Sequence, residues 1–278
     1  MRLAVSNIAW DVAEDEVIAS LLRRFGIDAI DIAPGKYFPD PATATDEEIA
    51  RVKTWWSDRA IEIIGMQALL FGTTSLNVFG PPMVQHTMLQ HLAAVCRIGA
   101  GLGAKRLVFG SPKNRDCTGL SEQQSMEQAV AFFRRLGDIA QSYGVMICLE
   151  PNPSCYGANF MTTSTETARV IDAVAHPAVR MQLDSGALTI NAEEPGAVLQ
   201  AYAPLIGHVH ASEPDLLPLG DGGTDHAKVI DALAQHLPDS VVTIEMLATN
   251  NETHAESIER SLRVAIRHYR NNGELGNP

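Results

Sequence analysis

The chain has 278 residues, 46% of them hydrophobic, which is enough for one sizeable core and within the length range over which α/β barrels run as single domains. Its formal net charge of −12 opposes a nucleic-acid partner, because a phosphate backbone needs a cationic face, and no stretch approaches the roughly 18 consecutive apolar residues of a membrane span. Four cysteines (Cys96, Cys117, Cys148, Cys155) form no CxxC pair, which fits reduced, mostly buried thiols in a cytoplasmic protein.

The opening MRLAVSNIAWD lacks a small-residue cleavage pattern and runs straight into an acidic helix, so it predicts a first strand and not a signal peptide. Further apolar runs follow in order: DAIDIAP (28–34), EIIGMQALL (62–70), RLVFGSP (106–112), VMICLEP (145–151), VRMQLDS (179–185), IGHVHAS (206–212) and VVTIEML (241–247). Continuous runs of this length suit strands buried on both faces, as in a parallel sheet. Between them, stretches such as EDEVIASLLRRFG space Val17, Ile18, Leu21, Leu22 and Phe25 as one face of a helix. Thr45 with Glu48, Ser121 with Gln124, Thr163 with Glu166 and Thr253 with Glu256 fit the capping-box pattern that opens helices. Eight strands, each followed by a helix, predict a single (β/α)8 TIM barrel over residues 1–278 with a short frayed tail, NNGELGNP. A doubly wound open sheet is the alternative, but no glycine-rich phosphate signature follows the first strand.

Charge placement in the later strands carries the chemistry. The fifth strand ends on Glu150, the sixth carries Asp184, the seventh His210 and the eighth Glu245. If these faces point inward, three carboxylates and an imidazole converge at the C-terminal mouth, where barrel active sites are built. Carboxylates so placed repel one another unless a cation sits among them. One imidazole with three carboxylates is a hard, oxygen-rich set suited to Mn²⁺, Mg²⁺ or Co²⁺ more than to a closed thiolate zinc site. A lone aspartate at a strand end is commonly a helix cap; four such residues on consecutive strands are not explained that way.

ICLEPNP, QLDSG, HVHASEPD followed by LGDGGTDHAKVIDAL, and VTIEML resemble the sugar isomerase/epimerase family of xylose-isomerase-like barrels. The spacings of 34, 26 and 35 residues between Glu150, Asp184, His210 and Glu245 fit the same pattern. The resemblance implies that these four residues bind one divalent ion, Mn²⁺ first, with Mg²⁺, Co²⁺ or Zn²⁺ as alternatives. It also implies that Glu150 and Glu245 are the catalytic acid/base pair. The chain departs from the ketose 3-epimerase pattern at Tyr156, Ala187 and Leu216, where that branch has Glu, His and Arg holding a free sugar. The endonuclease branch of the fold needs more histidines and a basic surface, and the chain offers neither.

The implied reaction is proton transfer next to a carbonyl on a sugar or sugar phosphate, through a metal-stabilised enediolate: epimerisation, isomerisation or, by loss of a β-hydroxyl, dehydration. An inactive metal-binding barrel is a further alternative. The partner is a small carbohydrate, and a homo-oligomer is compatible with the sequence. Lys113 and Arg115 in GSPKNR, and Lys36 in IAPGKYF, are candidates for holding a phosphate or carboxylate, the alternative being solvated turns. Gln67 and Asn152 are candidates for sugar hydroxyls. His208 lies one layer below His210, as a substrate contact or a core histidine. Trp10 and Phe71 are candidate pocket walls or ordinary packing.

Overall fold

Each of the eight apolar runs contributes one strand: β1 Arg2–Ser6, β2 Ala29–Ile32, β3 Glu62–Met66, β4 Arg106–Phe109, β5 Met146–Leu149, β6 Val179–Asp184, β7 Ile206–Ser212 and β8 Val241–Glu245. The computed structural model describes residues 1–270, so the tail NNGELGNP lies outside the described residues. All neighbouring strands are parallel, and β1 pairs with β8, with Leu3 opposite Val242 and Val5 opposite Ile244. That pairing closes the barrel and excludes the open sheet. The strands are shorter than their apolar runs: Gln67 and Glu150 make one last backbone bond each to the preceding strand, at Ile32 O and Phe109 O, and the chain then turns to build the mouth.

Nine α-helices surround the strands among the described residues: α1 Asp15–Arg24, α2 Asp46–Ser57, α3 Pro82–Leu102, α4 Glu122–Ser142, α5 Ser164–Val174, α6 Ser185–Ile190, α7 Pro195–Tyr202, α8 His226–His236 and α9 His254–Ala265. The extra one arises after β6, where the connection is split into α6 and α7 before Pro195 restarts the helix at its first turn. Reciprocal capping boxes form at Thr45, Ser121 and Thr253. At Thr163 only half of the motif forms: its hydroxyl accepts from the Glu166 N–H, while the Glu166 carboxylate accepts from Thr162 N–H and Oγ1–H. No described helix is long and apolar enough to cross a membrane.

Alternation along the strands sends the two faces into different environments. Outward residues such as Leu3, Val5, Leu107 and Leu149 join the large apolar cluster beneath the helices, which includes Phe109 edge-on to Phe133 at 5.4 Å. Truncating one of these leucines to alanine costs about 2–5 kcal/mol. The inward side is different. Ala4, Ala29 and Ile64 form a small separate cluster, and nearer the mouth Ser6, Asp31, Gln182, His208, His210 and Thr243 are all buried. This polar interior is the platform on which the site stands. Of the four cysteines, Cys96 and Cys148 are buried, Cys117 is half-buried and Cys155 is exposed; all are free thiols.

Candidate active site

Glu150 comes one residue after β5. Its N–H donates to Phe109 O at 3.1 Å, and Pro151 then removes the next backbone donor, so the chain turns away and leaves the side chain at the mouth. Asp184 and His210 are register partners on β6 and β7, and Glu245 ends β8 opposite Ser212. One ligand atom from each of Glu150, Asp184, His210 and Glu245 lies within 4.8 Å of every other. His210 Nδ1 is 3.1 Å from Glu245 Oε2 and 3.8 Å from Glu150 Oε1.

Glu150 and Glu245 are each held by one amide, and Asp184 by a donor on each oxygen. Asp184 Oδ1 accepts from Ala187 N–H at 2.7 Å, capping α6, and its Oδ2 accepts from Ser212 Oγ–H at 2.6 Å. Glu150 Oε2 accepts from Asn152 Nδ2–H at 3.1 Å, and Glu245 Oε1 from Gln67 Nε2–H at 2.5 Å. Glu150 Oε1 and His210 Nδ1 are buried without a well-directed hydrogen bond. Glu150 also packs on a glycine: a Cβ on Gly110 would stand 1.9 Å from Glu150 Oε2, so any larger residue there must displace the carboxylate.

The electrostatics call for a cation. Burial, then the charges of Glu245 and Asp184, push Glu150 up to about 8. Burial and Glu245 push Asp184 up to about 6. Burial alone would lower His210, but Glu245 and Asp31 more than offset it and hold the imidazole well above its ordinary value. Glu245 is the one carboxyl of the set held low, because the facing His210 outweighs the cost of burial. In metal-free protein the cluster therefore neutralises itself with protons. A divalent cation held by Glu150, Asp184, His210 and Glu245 would do the same, and Glu150 Oε1 and His210 Nδ1 are buried without a hydrogen bond to compete with it. The donor set fits such an ion.

Behind His210 lies a residue that sequence reasoning missed. Asp31 is fully buried, accepts from His208 Nε2–H at 2.6 Å and lies 3.5 Å from His210 Nε2. Burial opposes its charge, but the two imidazoles hold its carboxyl well below the usual carboxylate range. A carboxylate behind a ligating histidine fixes the ring and raises its basicity. The register shift between Ile30 and Asp31 brings Asp31 opposite Gly65, where an added Cβ would sit 2.4 Å from Oδ1. The signal was present in DAIDIAP, an apolar run broken by one charge, just as in ICLEP.

The site opens into a cavity of about 510 Å³. Gln67, Glu150, Asn152, Asp184 and Glu245 line it, as do Phe71 and all three departure positions, Tyr156, Ala187 and Leu216. No lysine, arginine or histidine is among the described lining residues. The candidate cations are placed elsewhere. Arg115 is fully buried by the short 3-10 turn Pro112–Arg115, and its guanidinium donates to Glu150 O at 2.7 Å and to Asn152 Oδ1. It supports the site from beneath and does not meet an anion. Lys113, on the same turn, is exposed outside the cavity. Lys36 donates to Asn7 O at 2.7 Å and to Trp10 O at 2.5 Å, tying down the loop after β1. His208 is the buried partner of Asp31, and Trp10 is buried with its indole N–H donating to Asp15 Oδ1 at 2.8 Å. Gln67 and Asn152 are the two candidate substrate contacts that line the cavity.

Solved structures with the same architecture include two sugar epimerases. D-psicose 3-epimerase from Clostridium cellulolyticum H10, crystallised with D-tagatose, matches with a TM-score of 0.79 at 17% identity, over 97% of this chain and 98% of its own. D-allulose 3-epimerase from Methylomonas sp. matches at 0.79 and 20% identity, over 97% of each chain. A third, the probable 3-DHS dehydratase AsbF of Bacillus anthracis, matches at 0.73 and 16% identity over 95% and 98%. At these identities the likeness is one of fold. The model of the family described as xylose isomerase-like TIM barrel, however, matches residues 19–268, and a match over that much of a closed eight-stranded barrel establishes that the chain belongs to this family.

Proposed function

We propose that the protein is a divalent-metal-dependent epimerase or isomerase of a keto sugar, moving a proton at the carbon next to a carbonyl. The observation that carries this reading is the pairing of Glu150 and Glu245. They reach the same cavity from β5 and β8, both close to His210 Nδ1, and each is oriented by an amide, Asn152 or Gln67. Glu150, Asp184, His210 and Glu245 would hold the ion, which when bound supplies Lewis acidity to a carbonyl and its neighbouring hydroxyl.

The protein's own groups do the rest. Glu150 and Glu245 are the acid/base pair: one takes the proton and the other returns one. Return to the opposite face of the same carbon epimerises; return to the neighbouring carbon isomerises. Gln67 and Asn152 sit where sugar hydroxyls would meet the carboxylates. The two 3-epimerases with this fold support the reading. The dehydratase relative supports a second, in which the same proton abstraction is followed by loss of a β-hydroxyl.

The test is turnover of keto sugars in D₂O with Mn²⁺-loaded protein, followed by NMR. Deuterium next to the carbonyl is expected, with a new stereocentre for epimerase, a moved carbonyl for isomerase and loss of water for lyase. Glu150→Gln and Glu245→Gln should each stop turnover, since an amide neither takes nor returns a proton. Normal turnover in both variants would remove this pair from the chemistry.

A further inference from the structure

We infer that the substrate is an uncharged keto sugar bearing an apolar, aryl-type substituent, with the sugar on the carboxylate floor and the substituent inside a collar of Phe71, Tyr156, Leu216 and Leu247. This rests on the proton-transfer reading for the sugar end; the collar stands on its own observations. The cavity, about 510 Å³, lies within the roughly 300–1,000 Å³ that drug-sized ligands occupy and exceeds what one hexose ring requires. Apolar side chains, among them Ile8, Leu69, Leu70, Phe71, Leu216 and Leu247, make up much of its lining, so a free sugar filling it would leave hydroxyls facing them without partners.

The collar is exposed yet built. Eight large hydrophobic side chains are exposed among the described residues, and three of them, Phe71 (85%), Leu247 (49%) and Tyr156 (40%), line this one mouth. Exposed apolar side chains gathered at a cavity mark a binding surface more than chance does. The loops carrying them are tied together. Leu247 N–H donates to Leu216 O at 2.9 Å, and Asp215 N–H donates to Tyr156 Oη at 2.7 Å. Asp215 and Leu216 take φ of 59° and 54°, left-handed conformations unfavourable for non-glycine residues that persist only where surrounding structure over-determines them.

Charge selects against anionic sugars. Glu150, Asp184, Glu213, Asp215 and Glu245 line the cavity, and no lysine, arginine or histidine among the described residues does; His210 and His226 meet Glu245 and Glu213 from outside the lining, so the face offered to a ligand is carboxylate. A phosphate would meet net negative charge and no fork of donors.

The experiment is calorimetric titration of Mn²⁺-loaded protein with the phenyl β-glycosides of D-glucose and D-galactose, the free sugars, and D-glucose 6-phosphate. At least one phenyl glycoside should bind on the order of 10–100-fold tighter than its free sugar, the gain expected for desolvating one phenyl ring. Phe71→Ser and Leu247→Ser, both at exposed positions that the fold tolerates, should bring that ratio down to a few-fold. The phosphate should not bind. Equal affinity for free and phenyl sugars, no binding of either phenyl glycoside, or tight binding of the phosphate would each overturn the inference. Deuterium exchange into a phenyl glycoside oxidised to a ring ketone is scored separately. A phenyl preference without any exchange overturns the proton-transfer reading alone. Exchange into free ketoses without a phenyl preference overturns the substituent alone.

Discussion

Replacing Asp31 with asparagine removes a charge from behind the candidate metal centre while keeping the shape of the side chain. Asp31 Oδ2 lies 2.6 Å from His208 Nε2 and 3.5 Å from His210 Nε2, with no solvent to screen it. At an effective dielectric constant of 20, a full charge pair at 3.5 Å interacts by about 5 kcal/mol, which burial largely offsets. Two effects oppose each other. Losing Asp31 relieves its repulsion of the three carboxylates, but it also makes His210 a less basic ligand. The second wins, because Asp31 faces the imidazole directly whereas His210 stands between it and Glu150 and Glu245. Asp31→Asn should weaken Mn²⁺ binding about 10–100-fold, the usual effect of losing a carboxylate behind a metal-bound histidine. Calorimetric titration measures this, and a melt in chelator checks that the fold persists. Gly65→Ala approaches the same carboxylate from the facing strand, since its Cβ would stand 2.4 Å from Asp31 Oδ1, and should reproduce the loss. Affinity within two-fold of wild type in Asp31→Asn, alongside a clear loss in Asp184→Ala, would refute this positioning role.

Three other outcomes follow from the same geometry. Glu150 and Asp184 have folded-state pKa values raised to about 8 and about 6, and His210 is raised too, so each group's contribution to stability is lost as pH climbs. The Tm of chelated protein should therefore fall between pH 5 and 8, by about 5–10 °C if a few kcal/mol are involved, while metal-loaded protein should show little of that fall; a flat chelated profile would contradict the shifts. Gly110→Ala must move Glu150, whose Oε2 would be 1.9 Å from the new Cβ, so kcat should drop at least about ten-fold with little change in Tm; unchanged steady-state kinetics would show that this contact relaxes harmlessly. Arg115→Met strands Glu150 O and Asn152 Oδ1 without their donor and should cost about 2–4 kcal/mol in denaturant unfolding, whereas Lys113→Ala should leave both stability and KM as they were; the reverse pattern would restore an anion site at the mouth.

Eight strands, most helix starts and the four strand-end residues that converge at the mouth were legible in the sequence because each rests on a local rule. Apolar runs report burial on both faces, capping residues act within four positions, and a charge that ends or interrupts such a run, as Glu150 does in ICLEP, needs a partner. Asp31 obeys the same rule within DAIDIAP, but its role needed two long-range facts: the register shift after Ile30, and Gly65 leaving room across the strand pair. Closure of the sheet was likewise decided by β1 meeting β8, a pairing across nearly the whole chain that no local pattern encodes. Arg115 and Lys36 illustrate the other limit. A cation in a loop reads the same whether it faces a ligand or a carbonyl, and only the turn Pro112–Arg115 sends one guanidinium inward to Glu150 O. The sign of the cavity follows from that. With its nearby cations spent on backbone oxygens or left outside, the mouth holds carboxylates and apolar side chains, a balance set by where loops fold and not by which residues they contain.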